Sequence, residues 1–182
     1  MSSIRKAKYS DIPDCMRIYY GQVDYEKEHG EITGWNKEIY PTEDFVKLGI
    51  DRGEYYVLED DGVVRACAKI NHEANEHYGK INWRYKECDY NKILVIHTLG
   101  VDVYFRRNGY GKIFMEFYEE KGRESGCTVL RFDTVATNTP AIAFYTSMGY
   151  FESGRITAPS MNGGVQTFVG LEKTVISNEY RE

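Results

Sequence analysis

The chain has 182 residues, of which 42% are hydrophobic and 28% are charged, a composition typical of globular proteins. Its 28 acidic and 23 basic residues give a net charge of −5, which argues against nonspecific nucleic-acid binding and mildly favours cationic partners. The first eleven residues contain no apolar segment, and apolar runs such as 93–96 are too short to cross a bilayer. We therefore predict a cytoplasmic protein without a signal peptide or a membrane span, folded as one domain over residues 1–182.

Cysteine and tyrosine are the two informative residue types. The four cysteines form no CxxC pair, which favours reduced thiols over a zinc site or a disulfide framework; they are Cys15, Cys67, Cys88 and Cys127. The 16 tyrosines suit a walled pocket or an interface, because each ring combines an apolar body with a polar tip.

The first third of the chain is predicted to form a strand, two helices and a hairpin. Residues 3–8 alternate weakly, as an edge strand does, and Ser10 is a suitable N-cap for a following helix. The apolar residues of that helix recur at helical spacing: Ile12, Cys15, Met16, Tyr19 and Val23. Thr42 precedes two acidic residues and starts a second helix. Asp61-Gly62 between two β-rich runs predicts a hairpin.

The rest of the chain alternates strands and helices. Residues 71–91 are polar and loop-like. Thr139 and Pro140 are predicted to be the N-cap and first residue of a short helix. The other predicted elements are a central strand at 92–101, a helix at about 109–125, a strand at 128–134 and two strands at about 150–157 and 165–173. The two strands within 92–134 should run parallel, which predicts an α/β domain with a mixed sheet flanked by helices.

A glycine-containing turn, RRNGYGK at 106–112, joins the central strand to its helix. Its three cations oppose the macrodipole at a helix start unless an anion binds there. Two known phosphate-binding designs do not fit. The dinucleotide fingerprint would need a third glycine at Phe114, and the P-loop would need glycine at Arg106 and Ser or Thr at Ile113. Two interpretations of residues 106–112 remain: a different phosphate-binding turn, or an ordinary helix start.

Two motifs together resemble the GNAT acetyltransferases, the Gcn5-related N-acetyltransferase superfamily. Residues 106–111 (RRNGYG) match [RQ]-x-x-G-x-[GA], which binds the pyrophosphate of acetyl-CoA in that family. One strand later, residues 138–150 (NTPAIAFYTSMGY) match N-x-x-A-x-x-x-Y-x-x-x-G-[FY]. The resemblance is detailed over about 92–152, and it implies a GNAT-like mixed sheet whose splayed central strands hold acetyl-CoA.

The resemblance also implies the cofactor-binding residues: Leu99, Val101, Arg106, Arg107, Asn108, Gly109, Tyr110, Gly111, Lys112, Asn138, Ala141, Phe144 and Tyr145. Arg106, Arg107 and Lys112 would offset phosphate charge, and Gly109 and Gly111 would let backbone N–H groups approach it. Asn138 would contact the pantetheine arm, although its alternative role is to shape the turn before the helix.

Three residues are candidates for catalysis. By resemblance, the Leu99 N–H is an oxyanion donor, and Tyr145 hydrogen-bonds the sulfur of CoA and can protonate it. The alternative for Tyr145 is a core tyrosine. The base is less determined, because the glutamate that some family members use is Val95 here. His97 is predicted to share a strand face with Leu99. It aligns with a histidine that serves as the base in arylalkylamine acetyltransferases, although a structural role is the alternative.

The other two histidines with interpretable spacing are His72 and His77, five residues apart in the polar segment. This is not a metal-ligand spacing, so we expect solvent-exposed side chains and no metal site.

The acceptor site is less defined by the sequence. The resemblance places it between the first two helices and the last strands, where Glu31 would hold an ammonium group and Trp35 and Tyr40 would wall a pocket; residues 160–166 are also nearby. Core packing is the alternative for both aromatic residues. The predicted reaction is direct acetyl transfer from acetyl-CoA to a primary amine in a ternary complex, with CoA released. A small cationic or aromatic amine is the expected acceptor, and a peptide or protein amine is the alternative.

Two other classes of function are carried as alternatives: a non-catalytic CoA-binding sensor, and a plain interaction domain. A homodimer is also left open.

Overall fold

A computed structural model describes residues 2–86, 89–160 and 163–175. The helices and strands in these ranges are β1 (Ser3–Lys6), α1 (Ile12–His29), α2 (Glu43–Asp51), β2 (Tyr55–Asp60), β3 (Val63–Asn71), β4 (Ile93–Val101), α3 (Tyr110–Glu124), β5 (Val129–Val135), α4 (Thr139–Ser147), β6 (Phe151–Pro159) and β7 (Val165–Thr174). The strands form a mixed sheet in the order β1-β2-β3-β4-β5-β7-β6, in which β4 and β5 are parallel. The predicted α/β fold class is confirmed.

Two predicted helix starts are shifted by one residue. Ser10 does not cap α1; it lies in a short 3-10 turn, and Asp11 is the N-cap residue. For α4, the cap is Asn138 rather than Thr139, and the Asn138 Oδ1 accepts a hydrogen bond from the Ala141 N–H at 3.3 Å. Asparagine is a stronger N-cap than threonine. Pro140 then falls at the second helical position, where its missing N–H has no intrahelical partner to lose.

The chain forms two compact units, and a single domain over 1–182 stays a prediction. The first unit consists of the described residues up to Glu31 together with Trp35–Ile70 and Ile96–Tyr118. In it, β1, β2 and β3 pair antiparallel. The predicted turn at Asp61-Gly62 has φ values of 49° and 77°, the left-handed pair of a tight hairpin. The core of this unit joins the buried face of α1 to β2 and β3 through residues that include Cys15, Tyr19, Val57 and Cys67.

The second unit consists of Ile32–Gly34, Asn71–Val95 and the described residues from Glu119 onward. Its central strand is β5, which pairs parallel with Ile93–Val95 of β4 and antiparallel with β7. β6 completes this part of the sheet along the other edge of β7. The last four residues of β5 continue beyond the final pair with β4 while their pairing to β7 is maintained.

A buried ion pair between β5 and β7 holds part of the polar segment before β4 within the second unit. Glu172 is fully buried, and its carboxylate lies 3.4 Å from the Arg131 Nε. It also accepts hydrogen bonds from the Arg84 N–H and the Ser153 hydroxyl, while the Arg131 guanidinium lies 4.8 Å from the centre of the Trp83 ring. Tyr78, Ile81 and Trp83 of this segment, which was predicted only as a loop, therefore belong to the core.

Three of the four cysteines lie within the described residues: Cys15, Cys67 and Cys127 are buried free thiols, and Cys88 is outside. Within the described ranges, no helix has the length and apolar composition to cross a bilayer. No three potential acidic, histidine or cysteine ligands gather there as a metal site would require.

Candidate functional site

The turn before α3 is exposed over residues 104–109 and leaves several backbone N–H groups without helical partners. Arg107 and Gly109 both adopt left-handed backbone conformations, with φ values of 67° and 82°. The Ile113 N–H donates to the Gly109 carbonyl at 3.0 Å. The N–H groups of 110–112, in the first turn, therefore have no helical partner. No acidic residue lies in the first turn, and a methyl group at Gly109 would meet no described atom within 4 Å. This geometry fits a phosphate group.

The three predicted phosphate-compensating cations have different surroundings. The Arg106 guanidinium donates to Gln22 Oε1 at 2.5 Å and lies 4.7 Å from the centre of the Tyr25 ring, so it is held against α1. The Lys112 Nζ lies 3.7 Å from Glu116, and both side chains are exposed. Arg107 is exposed and makes no ion pair with any described residue. Arg107 is therefore the cation with the fewest competing partners.

Two other residues of the motif support the turn itself. The Tyr110 hydroxyl donates to Asp60 Oδ2 at 2.8 Å, which ties the start of α3 to the end of β2. The Asn108 side-chain amide donates to the Phe105 carbonyl at 3.1 Å. Both side chains thus stabilise the loop, and its N–H groups remain the polar surface available to a ligand.

The second half of β4 contains an unusual residue between His97 and Leu99. Thr98 has a φ of 55°, which is rare for a β-branched residue. Its carbonyl accepts a hydrogen bond from the Tyr19 hydroxyl at 2.9 Å, and its hydroxyl is hydrogen-bonded to the Tyr40 hydroxyl. These two contacts hold a kink in the strand. Strict alternation of side chains, on which the predicted shared face of His97 and Leu99 rests, is interrupted at this kink.

A close approach of α1 to β4 follows the kink. A methyl group at Gly100 would lie 2.8 Å from the Tyr19 ring and 3.0 Å from Ile18, so only glycine fits there. Leu99 and Val101, the two predicted backbone contacts for a cofactor, flank this glycine and are half-buried.

The predicted acceptor residues occupy different environments in the first unit. Trp35 contacts Tyr19 edge-on, with ring centres 5.2 Å apart, and packs against the core of that unit. Tyr40 directs its hydroxyl to Thr98. Glu31 is exposed just beyond the end of α1. The geometry thus favours a structural role for both aromatic rings, and it leaves Glu31 accessible. Residues 161 and 162 of the predicted region 160–166 lie outside the described residues.

The second motif forms the apolar helix α4 in the second unit. Its nine residues, TPAIAFYTS, include no charged side chain, yet none of them is fully buried; Ala141 and Phe144 are half-buried. The Asn138 side chain caps the helix and also donates to Thr134 Oγ1 at 3.3 Å, so both ends of its amide are used locally. This is the turn-shaping role that the sequence left open.

Tyr145 lies on α4 with its ring against β5. The ring centre is 4.6 Å from that of Phe132 and 5.2 Å from that of Phe144. Burial raises the pKa of Tyr145 well above its ordinary value, so its hydroxyl is protonated at neutral pH. Among the described residues it has no hydrogen-bond partner, and it is therefore available as a proton donor.

A polar cluster that the sequence did not predict surrounds Asp133 on β5. Asp133 Oδ1 accepts hydrogen bonds from the Tyr78 hydroxyl at 2.6 Å and the Asn75 amide at 2.9 Å. Its Oδ2 lies 3.2 Å from His77 Nε2. The expectation that His77 is solvent-exposed is wrong, because its ring stacks on Phe168 and only 13% of its side chain is exposed. The signal in the sequence was an acidic residue inside a predicted strand.

His72, by contrast, is exposed as expected. Its Nδ1 lies 2.7 Å from the Ile93 carbonyl, and it does not contact the cluster around Asp133.

Comparisons with known proteins identify the family and the fold of the chain. Residues 16–150 match the family described as acetyltransferase (GNAT) family. Among solved structures, the chain is similar to the ribosomal-protein-alanine N-acetyltransferase from Brucella melitensis, with 20% identity over 95% of this chain and 99% of that chain, and a TM-score of 0.70. The ribosomal-protein-S18-alanine N-acetyltransferase from Escherichia coli is 17% identical over 100% and 99% of the two chains, with a TM-score of 0.66.

A third similar structure comes from Salmonella typhimurium. It is described as an acetyltransferase with its cofactor acetyl-CoA, and it is 15% identical over 100% and 98% of the two chains, with a TM-score of 0.70. No curated protein sequence matches the chain. At these identities the similarity to solved structures establishes the fold, and the family match covers most of the chain.

Proposed function

Because the chain belongs to the GNAT acetyltransferase family, which uses acetyl-CoA, we propose that it transfers an acetyl group from acetyl-CoA to a primary amine. The observation that carries this proposal is the turn 106–112, in which residues 106–109 are exposed and the N–H groups of 110–112 lack helical partners. Such a turn suits the pyrophosphate of acetyl-CoA, since phosphate oxygens accept hydrogen bonds from backbone N–H groups and complement the positive end of a helix.

In the first unit, the proposed cofactor contacts are the N–H groups of 110–112, the Arg107 guanidinium and the backbone of Leu99 and Val101. In the second unit, the half-buried apolar surface of α4 supplies nonpolar contacts that a pantetheine arm would cover, which explains an uncharged helix with no fully buried residue.

When bound, acetyl-CoA supplies the activated acetyl group. The Leu99 N–H is proposed to donate to the carbonyl oxygen as negative charge develops there. The Tyr145 hydroxyl is proposed to donate its proton to the departing sulfur, a role that its raised pKa allows because the phenol stays protonated. An amine must lose a proton before it attacks, since an alkylammonium group is almost wholly protonated at neutral pH.

The acceptor is proposed to be a small amine, in keeping with the net charge of −5 and the exposed Glu31. A protein N-terminal amine is the second candidate, because two similar structures are named for acetylation of ribosomal-protein alanine. The reaction is proposed to take place in the cytoplasm.

The test is release of CoA thiol from acetyl-CoA across a panel of small amines and of short peptides that begin with alanine, with products identified by mass. Tyr145→Phe should lower turnover strongly while acetyl-CoA binding, followed by thermal shift, persists. Tyr90→Phe is the matched control, since Tyr90 is 61% exposed and its hydroxyl has no described hydrogen-bond partner. Binding of acetyl-CoA without turnover on any amine would favour the non-catalytic sensor. A ligand present at a hundred times its Kd stabilises the folded protein by about 2.7 kcal/mol. Absence of any thermal shift in the presence of a large excess of acetyl-CoA would therefore refute the proposal.

A further inference from the structure

We propose that His77, oriented by Asp133, accepts the proton that the acceptor amine loses. This inference rests on the proposed acetyl transfer and adds a catalytic residue to it. It differs from the sequence-based choice of base, His97, and it concerns a cluster that neither sequence motif contains.

The hydrogen bonds of the cluster determine which nitrogen of His77 can accept a proton. Asp133 receives two hydrogen bonds on Oδ1, from Asn75 and Tyr78, and Oδ2 faces His77 Nε2 at 3.2 Å. An ionised carboxylate only accepts hydrogen bonds, so Nε2 must carry the hydrogen. In the neutral ring the lone pair is then on Nδ1, which has no hydrogen-bond partner among the described residues.

The ring is held in one orientation by its neighbours. Its centre lies 4.5 Å from that of Phe168, with an interplanar angle of 18°, and 5.2 Å from that of Tyr78 in an edge contact. The side chains of His77 and Asp133 are 13% and 11% exposed, so water is mostly excluded from the pair while a small part of the His77 side chain remains accessible. A general base that is already oriented needs little reorganisation to accept a proton.

One carboxylate lies beside the ring. The residues that contact it are Asp133 from β5, Phe168 from β7 and Tyr78 from its own turn, and Asp133 is the charged member of this group. A carboxylate beside an imidazole offsets the positive charge that the ring gains with the proton, which is the arrangement of known carboxylate–histidine pairs.

Neighbouring residues of β5 contact the two groups, since Phe132 packs on Tyr145 and Asp133 faces His77. Tyr145 packs against Phe132, and the next residue on β5 is Asp133. Successive residues of a strand face opposite sides of its sheet. Within the second unit, a protonated phenol therefore lies over one face of β5 and an imidazole over the other.

These two groups can handle the protons of the reaction in balance. The ammonium nitrogen gives one proton to His77 Nδ1 and forms its bond to the acyl carbon. The bond from that carbon to sulfur breaks with its electron pair on sulfur, and Tyr145 gives sulfur a proton. After the new bond forms, the nitrogen carries one surplus proton, which passes through solvent to the Tyr145 phenolate and restores the phenol. His77 releases to solvent the proton that it accepted.

The experiment compares the pH dependence of kcat/KM for the amine, at saturating acetyl-CoA, in the wild type and four variants. His77→Gln should lower kcat/KM about a hundredfold or more at neutral pH and abolish the acidic limb of the profile. His97→Gln should keep that limb, and so should His72→Gln, the control for an exposed histidine of the same segment. Asp133→Asn should lower the rate while the acidic limb persists, because the imidazole remains but loses its partner.

Several outcomes would overturn the inference. An acidic limb that survives in His77→Gln, or one that disappears in His97→Gln instead, removes His77 from proton transfer while the proposed acetyl transfer stands. Absence of turnover in the wild type overturns both proposals. If His77→Gln fails to fold, nitrogen-15 NMR of the wild type decides: the neutral ring should carry its hydrogen on Nε2, and hydrogen on Nδ1 would exclude the proposed role.

Discussion

Replacing Tyr40 with phenylalanine removes one hydroxyl group, and with it one of the two side-chain contacts that hold Thr98 in its left-handed conformation. The other contact, from the Tyr19 hydroxyl to the Thr98 carbonyl, is retained. Because Leu99 follows Thr98 directly, the substitution tests whether the kink in β4 positions the proposed oxyanion donor.

The expected magnitude follows from the contacts. A neutral hydrogen bond contributes about 1 kcal/mol, and Thr98 is half-buried, so water can satisfy its hydroxyl after the substitution. We expect the free energy of unfolding to fall by about 1 kcal/mol and Tm by about 2–4 °C. The left-handed conformation costs about 1–2 kcal/mol, which the two hydrogen bonds help to offset. When one bond is lost, the strand can relax toward extended geometry and move the Leu99 N–H. A loss of transition-state stabilisation of the same size would lower kcat/KM about tenfold.

The assay measures kcat/KM and urea denaturation for Tyr40→Phe, Thr98→Ala and the double variant. Tyr9→Phe is the control, since it removes a tyrosine hydroxyl that is hydrogen-bonded to Asp51 on the surface, away from β4. A coupling energy of about 0.5–1.5 kcal/mol between Tyr40 and Thr98 is expected, because the two side chains are in contact. Strictly additive effects, or an equal loss of kcat/KM in Tyr9→Phe, would refute the reasoning.

Three further predictions concern stability, pH and the cofactor. Glu172→Gln leaves the Arg131 cation buried beside a neutral amide, so the free energy of unfolding in urea should fall by about 3–5 kcal/mol; a loss below about 1 kcal/mol would contradict this. The hydrogen bond from Arg5 holds the pKa of Asp11 below its ordinary value of 3.8, so its contribution is present above that pH and lost as pH falls through the folded pKa. The difference in unfolding free energy between the wild type and Asp11→Asn should therefore be constant at neutral pH and shrink in acid; a constant difference throughout would exclude the linkage. Gly109→Ala should weaken acetyl-CoA binding in calorimetry, whereas Gly62→Ala, at a similar positive φ with no described atom near its side-chain position, should not; equal affinities in both variants would place the phosphate elsewhere.

Local patterns in the sequence predicted most of the fold, because their causes are local. The Asp61-Gly62 turn, the Thr42 cap and the helix after Gly109 each depend on residues within a few positions of one another. The same holds for the two motifs that indicate the family.

The candidate site was predicted less completely, because some of its contacts join distant residues. Asp133 meets Asn75, His77 and Tyr78 across more than fifty positions of chain, and no periodicity relates them. The left-handed conformation of Thr98 runs against the preference of a β-branched residue, and it depends on hydroxyls that Tyr19 and Tyr40 bring from elsewhere. The contacts of Tyr40 and His77 therefore became visible only in the folded chain.

The division of the chain into two interleaved units bears on how such a protein can change. The chain passes from one unit to the other five times, and each unit is assembled from three separate stretches. No single exon boundary, gene fusion or proteolytic nick could therefore transfer or release one unit intact. A lineage that modifies either unit must do so by substitutions and loop insertions in place. Splitting the gene once, as in a split-protein reporter, would give two fragments that each contain parts of both units.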